Sequence, residues 1–308
     1  MVPAPRSLPF VAAGITVLLW ASAFVGVRAV GHDYSPGALA LGRQLAGTAA
    51  LTLVVLLRPS RPALPRGRVL AGVLTWGVAW FGLYNLALNT AERHLDAGTT
   101  ALLVNLAPVL IGVLAGLLLG EGFPRRLMIG MGIAFAGVLL IATTTGSGHR
   151  DLTGVLLGLA AALLYAVGAT AQKRLLTRVD PMTMTWLGCV AGTVFCLPFA
   201  PDLIGTLPDA PASSTLGLLY LGVFPTAIAF LTWGYALSHF PAGRLAATTY
   251  AIPPLVVLLS WTLLGEVPAP LAFAGGALCL TGVAFATIRR RPAQLSSSRR
   301  PAQLSGGR

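Results

Sequence analysis

The chain has 308 residues, of which 56% are hydrophobic and only 10% are charged, and it carries a formal net charge of +12. Because soluble domains average about 25% charged residues, this composition excludes an ordinary soluble domain and predicts an all-α integral membrane protein in a lipid bilayer. The basic residues stand between apolar runs and at the end of the chain, not along one amphipathic face. The positive charge therefore predicts no binding of nucleic acid.

Ten apolar runs follow one another along the chain, each near the length of about 20 residues that a membrane-spanning helix needs. In chain order they cover residues 10–30, 36–57, 69–90, 96–119, 126–145, 152–173, 181–200, 213–236, 241–264 and 269–288. For the first run a cleaved signal peptide ending at Ala21-Ser22-Ala23 is an alternative. The match of this run to an internal stretch around Tyr165 favours a retained helix. Residues 289–308 are predicted to form a disordered basic tail beside anionic lipid headgroups.

The sequence contains two similar copies of one unit, residues 8–145 and residues 152–288. Residues 97–121 open with Ala-Gly, contain a central proline and close with Leu-Leu-Gly-Glu, and residues 242–266 do the same, an offset of 145 from Ala97 to Ala242. Each copy holds five predicted spans, and five is odd, so the second copy enters the membrane from the opposite side. The sequence therefore predicts ten transmembrane helices arranged as two inverted-topology five-helix repeats, a plan shared by many secondary transporters.

The distribution of lysine and arginine in the short loops predicts the orientation of the chain. One side of the predicted bundle collects most of the loop cations, whereas the other holds only Arg28, Arg93 and Arg150. Cytoplasmic loops carry the excess of Lys and Arg, so both termini are expected in the cytoplasm. The twenty arginines against one lysine are typical of a GC-rich genome. We therefore expect a multi-pass protein of a bacterial cell (inner) membrane.

Prolines interrupt the fourth and ninth predicted spans at matched positions. Pro108 lies in the first, and Pro253 and Pro254 lie in the second. Proline has no N–H, so the carbonyl four residues earlier loses its helical partner. In lipid an unpaired carbonyl costs several kcal/mol, so it should face protein or a wet cavity. The recurrence favours two broken helices that line a central path, with a plain packing kink as the alternative.

Polar and aromatic residues within the spans are the predicted substrate-binding residues. They are Trp20, Asn85, Asn89, Asn105, Tyr165, Thr248, Thr249 and Tyr250. Hydrogen bonding between helices is the alternative role for each of them. Arg43 joins this set because a charge deep in a span is a functional candidate, although it could instead bond backbone carbonyls or snorkel outward. All nine acids fall in loops or at predicted span ends, so no mid-membrane carboxylate is expected.

The chain contains no sequence pattern of a metalloprotease, a serine hydrolase, a phosphate-binding loop or a Cys-x-x-Cys site. We therefore predict that it is not an enzyme and that it needs no cofactor and no metal. Glycines spaced four apart, as in Gly112/Gly116 and Gly188/Gly192, permit close helix contacts. They allow a homodimer without requiring one.

Four features of the sequence resemble the EamA-type transporters of the drug/metabolite transporter superfamily. They are Trp20-Ala21-Ser22-Ala23-Phe24, Pro36 followed by Arg43 and Ala46, the two Gly-Glu motifs ending at Glu121 and Glu266, and the glycine pairs Gly130/Gly137 and Gly275/Gly282. The resemblance covers about residues 8–288. It implies ten helices, transport of small metabolites, and a central cavity lined by the first, third, fourth, sixth, eighth and ninth helices.

These observations predict a secondary transporter that moves a small organic solute, such as a metabolite, an amino acid or a drug-like compound, by alternating access. Export is preferred over uptake on the strength of the resemblance. The alternative is a membrane scaffold or accessory subunit that transports nothing. In that case the polar residues within the spans would satisfy one another and leave no cavity.

Overall fold

A computed structural model describes residues 7–58, 63–94, 100, 103–142, 152–264 and 270–287, and every regular element in these ranges is helical. The α-helices are α1 (Leu8–Val30), α2 (Pro36–Leu57), α3 (Gly67–Gly77), α4 (Tyr84–His94), α5 (Ala107–Leu118), α6 (Arg125–Ala142), α7 (Leu152–Leu175), α8 (Pro181–Cys196), α9 (Ala200–Thr206), α10 (Ala212–Leu221), α11 (Ala229–His239), α12 (Ala242–Thr248), α13 (Ile252–Leu264) and α14 (Pro270–Thr287). π-helical segments at Val78–Leu83 and Gly222–Ile228 join α3 to α4 and α10 to α11, and 3₁₀ turns at Leu197–Phe199 and Thr249–Ala251 join α8 to α9 and α12 to α13.

Seven stretches of the described chain are helical, long and apolar enough to cross a membrane. They are Leu8–Val30, Pro36–Leu57, Gly67–His94, Leu152–Leu175, Pro181–Thr206, Ala212–His239 and Ala242–Leu263. Part of the predicted fourth span falls outside the described residues, and its remainder contains α5, which has only 12 residues. The described part of the chain is thus all-helical and fits a multi-pass membrane protein, and the count of ten spans stays a prediction. The predicted basic tail at 289–308 lies outside the described residues.

Three predicted spans end three or more residues too early. The third was expected to end at residue 90, the seventh at residue 200 and the eighth at residue 236, but the helical stretches continue to His94, Thr206 and His239. The charged residues Glu92 and Arg93, which suggested a loop, belong to the last turns of α4. They are accommodated there because both line a vestibule between the helices.

The second and seventh spans begin with the same local signal. Ser35 Oγ accepts a hydrogen bond from the backbone N–H of Ala38 (3.2 Å), and Asp180 Oδ1 accepts one from that of Thr183 (3.0 Å). A proline follows each capping residue in the first helical turn, where its missing N–H is not needed. The two caps stand at matched positions of the sequence repeat.

Three pairs of residues that stand 145 positions apart contact each other. They are Thr48 and Thr193 (2.8 Å between hydroxyl oxygens), Cys279 and Ala134 (3.3 Å from Sγ to the carbonyl oxygen), and Trp20 and Tyr165 (5.9 Å between ring centroids). Matched positions of two related halves can touch only where a two-fold axis passes between them. These contacts therefore support a pseudo-two-fold relation between the two copies.

Glycines hold the helices together at two matched crossings. A methyl group added at Gly77 would lie 2.5 Å from Gly188 Cα, and one added at Gly222 would lie 2.5 Å from the carbonyl oxygen of Arg43. Only a residue without a side chain lets the backbones approach so closely. The crossings fix the starts of the two π-helical segments against α8 and α2, and these segments contribute to the cavity described next.

Candidate functional site

A central cavity lies between the two sequence copies. The space not occupied by atoms amounts to about 740 Å³, open space at its mouth included. The polar residues that line it are Arg43, Tyr84, Asn85, Glu92, Asn105, Tyr165 and Thr249. These come from α2, α4, the turn before α5, α7 and the 3₁₀ turn before α13. Both copies therefore supply polar side chains to one membrane-embedded chamber.

Aromatic rings form one wall of the cavity. The indole centroid of Trp20 lies 5.3 Å from the ring of Phe230 and 5.9 Å from that of Tyr165, and Trp80 lies 5.4 Å from Tyr165. Behind them, Trp233 Nε1 donates to Gln172 Oε1 at 3.1 Å. Edge-on packing of this kind and a satisfied buried N–H fix the rings in place. The wall is therefore a rigid apolar surface.

The first π-helical segment positions Asn85. Nδ2 of Asn85 donates to the carbonyl oxygens of Trp80 (3.3 Å) and Phe81 (3.0 Å), both within Val78–Leu83. A π-helical turn displaces the regular hydrogen-bond ladder, and such turns are frequent at functional sites. The side-chain amide of Asn85 gives these two backbone carbonyls a hydrogen-bond donor, and the same bonds hold the amide at the cavity wall.

The second π-helical segment positions Arg43. Nε and Nη2 of Arg43 donate to Thr226 Oγ1 at 3.2 and 3.0 Å, and that hydroxyl donates in turn to the carbonyl of Leu221 at 2.8 Å. The arginine is 6% exposed, so it does not snorkel to the membrane surface. Arg43 thus carries a fixed positive charge at the cavity, bound to the other sequence copy.

The two interrupted helices lie on either side of the cavity. In the first copy, residues 103–104 are helical, Asn105 and Leu106 form a turn, and α5 then begins. Pro108 lies in the first turn of α5. In the second copy the 3₁₀ turn Thr249–Ala251 precedes α13, which carries Pro253 and Pro254 in its first turn. Asn105, Pro108 and Thr249 line the cavity.

A polar vestibule adjoins the cavity at one end. It is lined by Arg28, His32, Asn89 and Arg93, among others. Phe24, Val27 and Glu92 line both the vestibule and the cavity. A separate groove at the opposite ends of these helices is lined by Phe10, His239, Arg244 and Thr248, and it has no lining residue in common with the cavity in the described part of the chain.

Comparison with known proteins decides the family. The model of the EamA-like transporter family matches the chain twice, over residues 9–143 and 152–288. The chain belongs to this family. A protein of Streptantibioticus cattleyicolor named "Probable terminal-alkyne amino-acid exporter" is 36% identical over 87% of this chain and 90% of its own length. The uncharacterized transporter YdfC of Bacillus subtilis is 33% identical over 88% of each chain.

More distant relatives agree with this assignment. A protein of Escherichia coli named "Probable amino-acid metabolite efflux pump" is 25% identical over 87% of this chain and 91% of its own length. A solved crystal structure superposes with a TM-score of 0.74 at 22% identity, covering 92% of this chain and 97% of the other, which shows a shared fold. The family and these relatives are named as transporters, an exporter or an efflux pump, which supports a transporter of small metabolites. The scaffold alternative predicted that the polar residues within the spans leave no cavity, so the cavity is evidence against it.

Within this EamA-like fold, the structure brings most of the predicted site residues together. Those that line the cavity are Trp20, Arg43, Asn85, Asn105, Tyr165 and Thr249, with Pro108 beside them. Whether they bind a solute stays a prediction. Three predicted residues lie elsewhere, since Asn89 lines the vestibule, Thr248 lines the separate groove, and Tyr250 is buried against Met131 and Cys279.

Three successive helical residues cannot all face one cavity. They stand about 100° apart around the axis of an α-helix and about 120° apart in a 3₁₀ turn. Of Thr248, at the end of α12, and Thr249 and Tyr250, in the 3₁₀ turn, only Thr249 lines the cavity.

The sequence analysis missed Glu92, although it lines the cavity of this EamA-like chain. The predicted span ended at residue 90, so every acid was assigned to a loop or a span end. Glu92 lies in the last turn of α4 and lines both the cavity and the vestibule. A carboxylate thus reaches the cavity from the end of a span, and the absence of a mid-membrane carboxylate stays a prediction. Asn85, Leu88 and Glu92 follow a helical spacing of three and four residues, which puts them on one face of α4. Extending the helix by one turn in the sequence analysis would have found this residue.

The Gly-Glu motif of the first copy has a structural role at the end of the bundle opposite the vestibule. Glu121 Oε1 accepts a hydrogen bond from the backbone N–H of Ala242 (2.7 Å), and Oε2 accepts one from that of Gly243 (3.2 Å). Lys173 Nζ donates to the carbonyls of Leu237 and Phe240 at 2.5 and 2.6 Å. The Glu121 bonds tie helix ends of the two sequence copies to each other, whereas the Lys173 bonds tie two helix ends within the second copy.

Proposed function

We propose that the chain is a secondary transporter that exports a small organic solute by alternating access. One observation carries this proposal: a polar cavity between the two copies adjoins an open vestibule at one end, whereas Glu121 and Lys173 tie the helix ends together at the other. Access from one side of the membrane at a time is the requirement for alternating access. The described conformation fits one of its two end states.

The direction of transport and the orientation of the chain follow from separate arguments. The relatives from Streptantibioticus cattleyicolor and Escherichia coli are named as an exporter and an efflux pump, which supports export. The excess of loop cations on one side supports cytoplasmic termini in a bacterial inner membrane. The vestibule would then open to the outside, and the ties made by Glu121 and Lys173 would close the cytoplasmic side.

The proposed repeat architecture has its own support. The contacts between Thr48 and Thr193 and between Trp20 and Tyr165 join matched positions of the two copies. An axis through these pairs that lies in the membrane plane would relate the copies with opposite topology. In such folds, the solute site lies near the membrane midplane at the interface of the repeats. The cavity lined by Trp20, Asn105 and Tyr165 lies between the two copies, which supports such a site.

The proposal is tested by profiling the solutes that cells release. Bacterial cells that express the chain, the Asn105→Ala variant, or neither are loaded with a mixture of small metabolites, and the medium is analysed by mass spectrometry. We expect at least one small metabolite to leave faster with the chain than without it. Loss of a hydrogen-bonding group from the cavity should slow that release by about tenfold.

Thr262→Ala serves as the matched control, because its hydroxyl is exposed and bonds carbonyls of its own helix. The control should release the metabolite at the rate of the parent chain. Equal release from the cells without the chain would refute transport. Equal release by Asn105→Ala, present in the membrane at the same level, would refute the placement of the solute in this cavity.

A further inference from the structure

Two opposite charges line the same cavity. Arg43 and Glu92 are the charged side chains among its described lining residues, one on α2 and one on α4. We propose that Glu92 and Arg43 recognise the two charged ends of a zwitterion, an α-amino acid with an apolar side chain. Glu92 holds the ammonium group and Arg43 holds the carboxylate. This inference rests on the transport function proposed above.

The orientation of Arg43 suits the binding of a carboxylate. Its guanidinium is fixed by two hydrogen bonds to Thr226 and is 6% exposed, so its orientation is set before a solute arrives. The planar guanidinium matches the geometry of a carboxylate and binds it with charge-assisted hydrogen bonds. A preorganised donor in a poorly hydrated chamber gains more from such a contact than one at a protein surface.

Glu92 supplies the complementary charge. It lies on the face of α4 that also carries Asn85 and Leu88, and all three residues line the cavity. The cations that act on its carboxylate are Arg43 from α2 and Arg28 from α1. A carboxylate inside a membrane is costly unless a positive group meets it. The two arginines meet part of that need, and an ammonium group in the cavity adds a further positive group beside the carboxylate.

The balance of charge selects the class of solute. A zwitterion places a positive end at Glu92 and a negative end at Arg43, so no charge is left without a partner. Arg43 and Glu92 already balance each other before a solute binds, so a zwitterion keeps the site neutral, whereas a simple amine or a simple carboxylic acid adds a net charge, which is unfavourable in a desolvated site. The aromatic wall of Trp20, Trp80 and Phe230 offers an apolar surface to the remainder of the solute. An apolar side chain is therefore preferred there.

The experiment compares matched sets of three compounds on the purified full chain in liposomes. Each set contains an apolar amino acid, the 2-hydroxy acid that lacks its ammonium group, and the amino alcohol that lacks its carboxylate. L-leucine, L-norvaline and L-phenylalanine each head one set. Transport is followed by counterflow of the radiolabelled amino acid against each competitor. For at least one set, we expect the two analogues to compete about tenfold to a hundredfold more weakly than the amino acid.

Variants at position 92 test the role of Glu92. Glu92→Gln preserves the shape of the side chain and removes its charge. This variant should no longer prefer the amino acid over the hydroxy acid, but it should still prefer the amino acid over the amino alcohol. Glu92→Asp should retain both preferences, which shows that position 92 tolerates substitution. Asp209→Asn, the same chemical change at an exposed position outside the cavity, should alter neither preference.

The outcomes separate this inference from the proposed function. Equal competition by an amino alcohol or a hydroxy acid would overturn the zwitterion assignment. Unchanged preferences in Glu92→Gln would overturn the role of Glu92. If the metabolites released in the profiling experiment include no apolar amino acid, and none of the three shows counterflow, then the solute class is wrong and the transporter remains. If no metabolite is released at all, the proposed function itself fails.

Discussion

Gly77 and Gly222 mark two matched positions at which helices cross with almost no space between their backbones. We predict that Gly77→Ala and Gly222→Ala both destabilise the protein. The added methyl group would lie 2.5 Å from Gly188 Cα in the first case and 2.5 Å from the carbonyl oxygen of Arg43 in the second. Both obstacles are backbone atoms, which cannot rotate away as the end of a side chain can. The helices must separate instead.

The magnitude follows from the size of that separation. Ordinary contact between carbon atoms begins at about 3.5 Å, so each crossing must open by about 1 Å. Forcing an extra methyl group into a packed interior costs about 1–3 kcal/mol. Alanine recovers about 0.5–1 kcal/mol through its better helix propensity. We therefore expect a net loss of about 1–2 kcal/mol for each variant.

The assay is thermal unfolding of the purified variants, with Gly132→Ala as the control. Gly132 lies in α6, and a methyl group added there meets no other atom within 4 Å. The control should therefore keep or raise the melting temperature, while Gly77→Ala and Gly222→Ala lower it by about 2–6 °C. A control that falls as far as the other two would refute the reasoning, because glycine would then matter for a reason other than the close approach.

Two further predictions concern contacts between the sequence copies. Glu121→Gln removes the negative charge that accepts hydrogen bonds from the backbone N–H groups of Ala242 and Gly243. The melting temperature should therefore fall by the equivalent of about 1–3 kcal/mol. An unchanged melting temperature would show that this cap does not stabilise the fold. Thr48→Val and Thr193→Val should each cost about 1 kcal/mol, but together they should cost little more than either alone, because one hydrogen bond joins them. Full additivity in this double-mutant cycle would contradict the contact.

The sequence predicts those features of the fold that depend on local pattern. The duplicated run with its central proline predicts interruptions near Pro108 and Pro253, and the helices are interrupted there. The isolated charge at Arg43 and the matched aromatic positions Trp20 and Tyr165 point to the cavity because such residues are rare in lipid-facing positions. Periodicity and composition carry this information without knowledge of the tertiary structure.

The direction in which a side chain points could not be predicted in the same way. Each π-helical segment adds a residue to the helical turn and rotates the residues that follow it by about 100°. Asn89 follows the segment Val78–Leu83 and faces the vestibule, whereas Glu92 reaches the cavity. Apolar patterning does not reveal π-helical or 3₁₀ turns, so the side-chain directions beyond them depend on tertiary contacts.

The contact between Thr48 and Thr193 joins matched positions of the two copies, as a contact on the two-fold axis of a homodimer joins a residue to its own counterpart. In a homodimer of one copy, the two residues of such a contact are encoded once and must be identical. In a single chain that carries both copies, each position is encoded separately. Trp20 and Tyr165, at the wall of the cavity, differ in this way, since one position offers an indole and its counterpart a phenol. Two copies in one chain can thus line one chamber with different residues at matched positions, which a homodimer of a single copy cannot do.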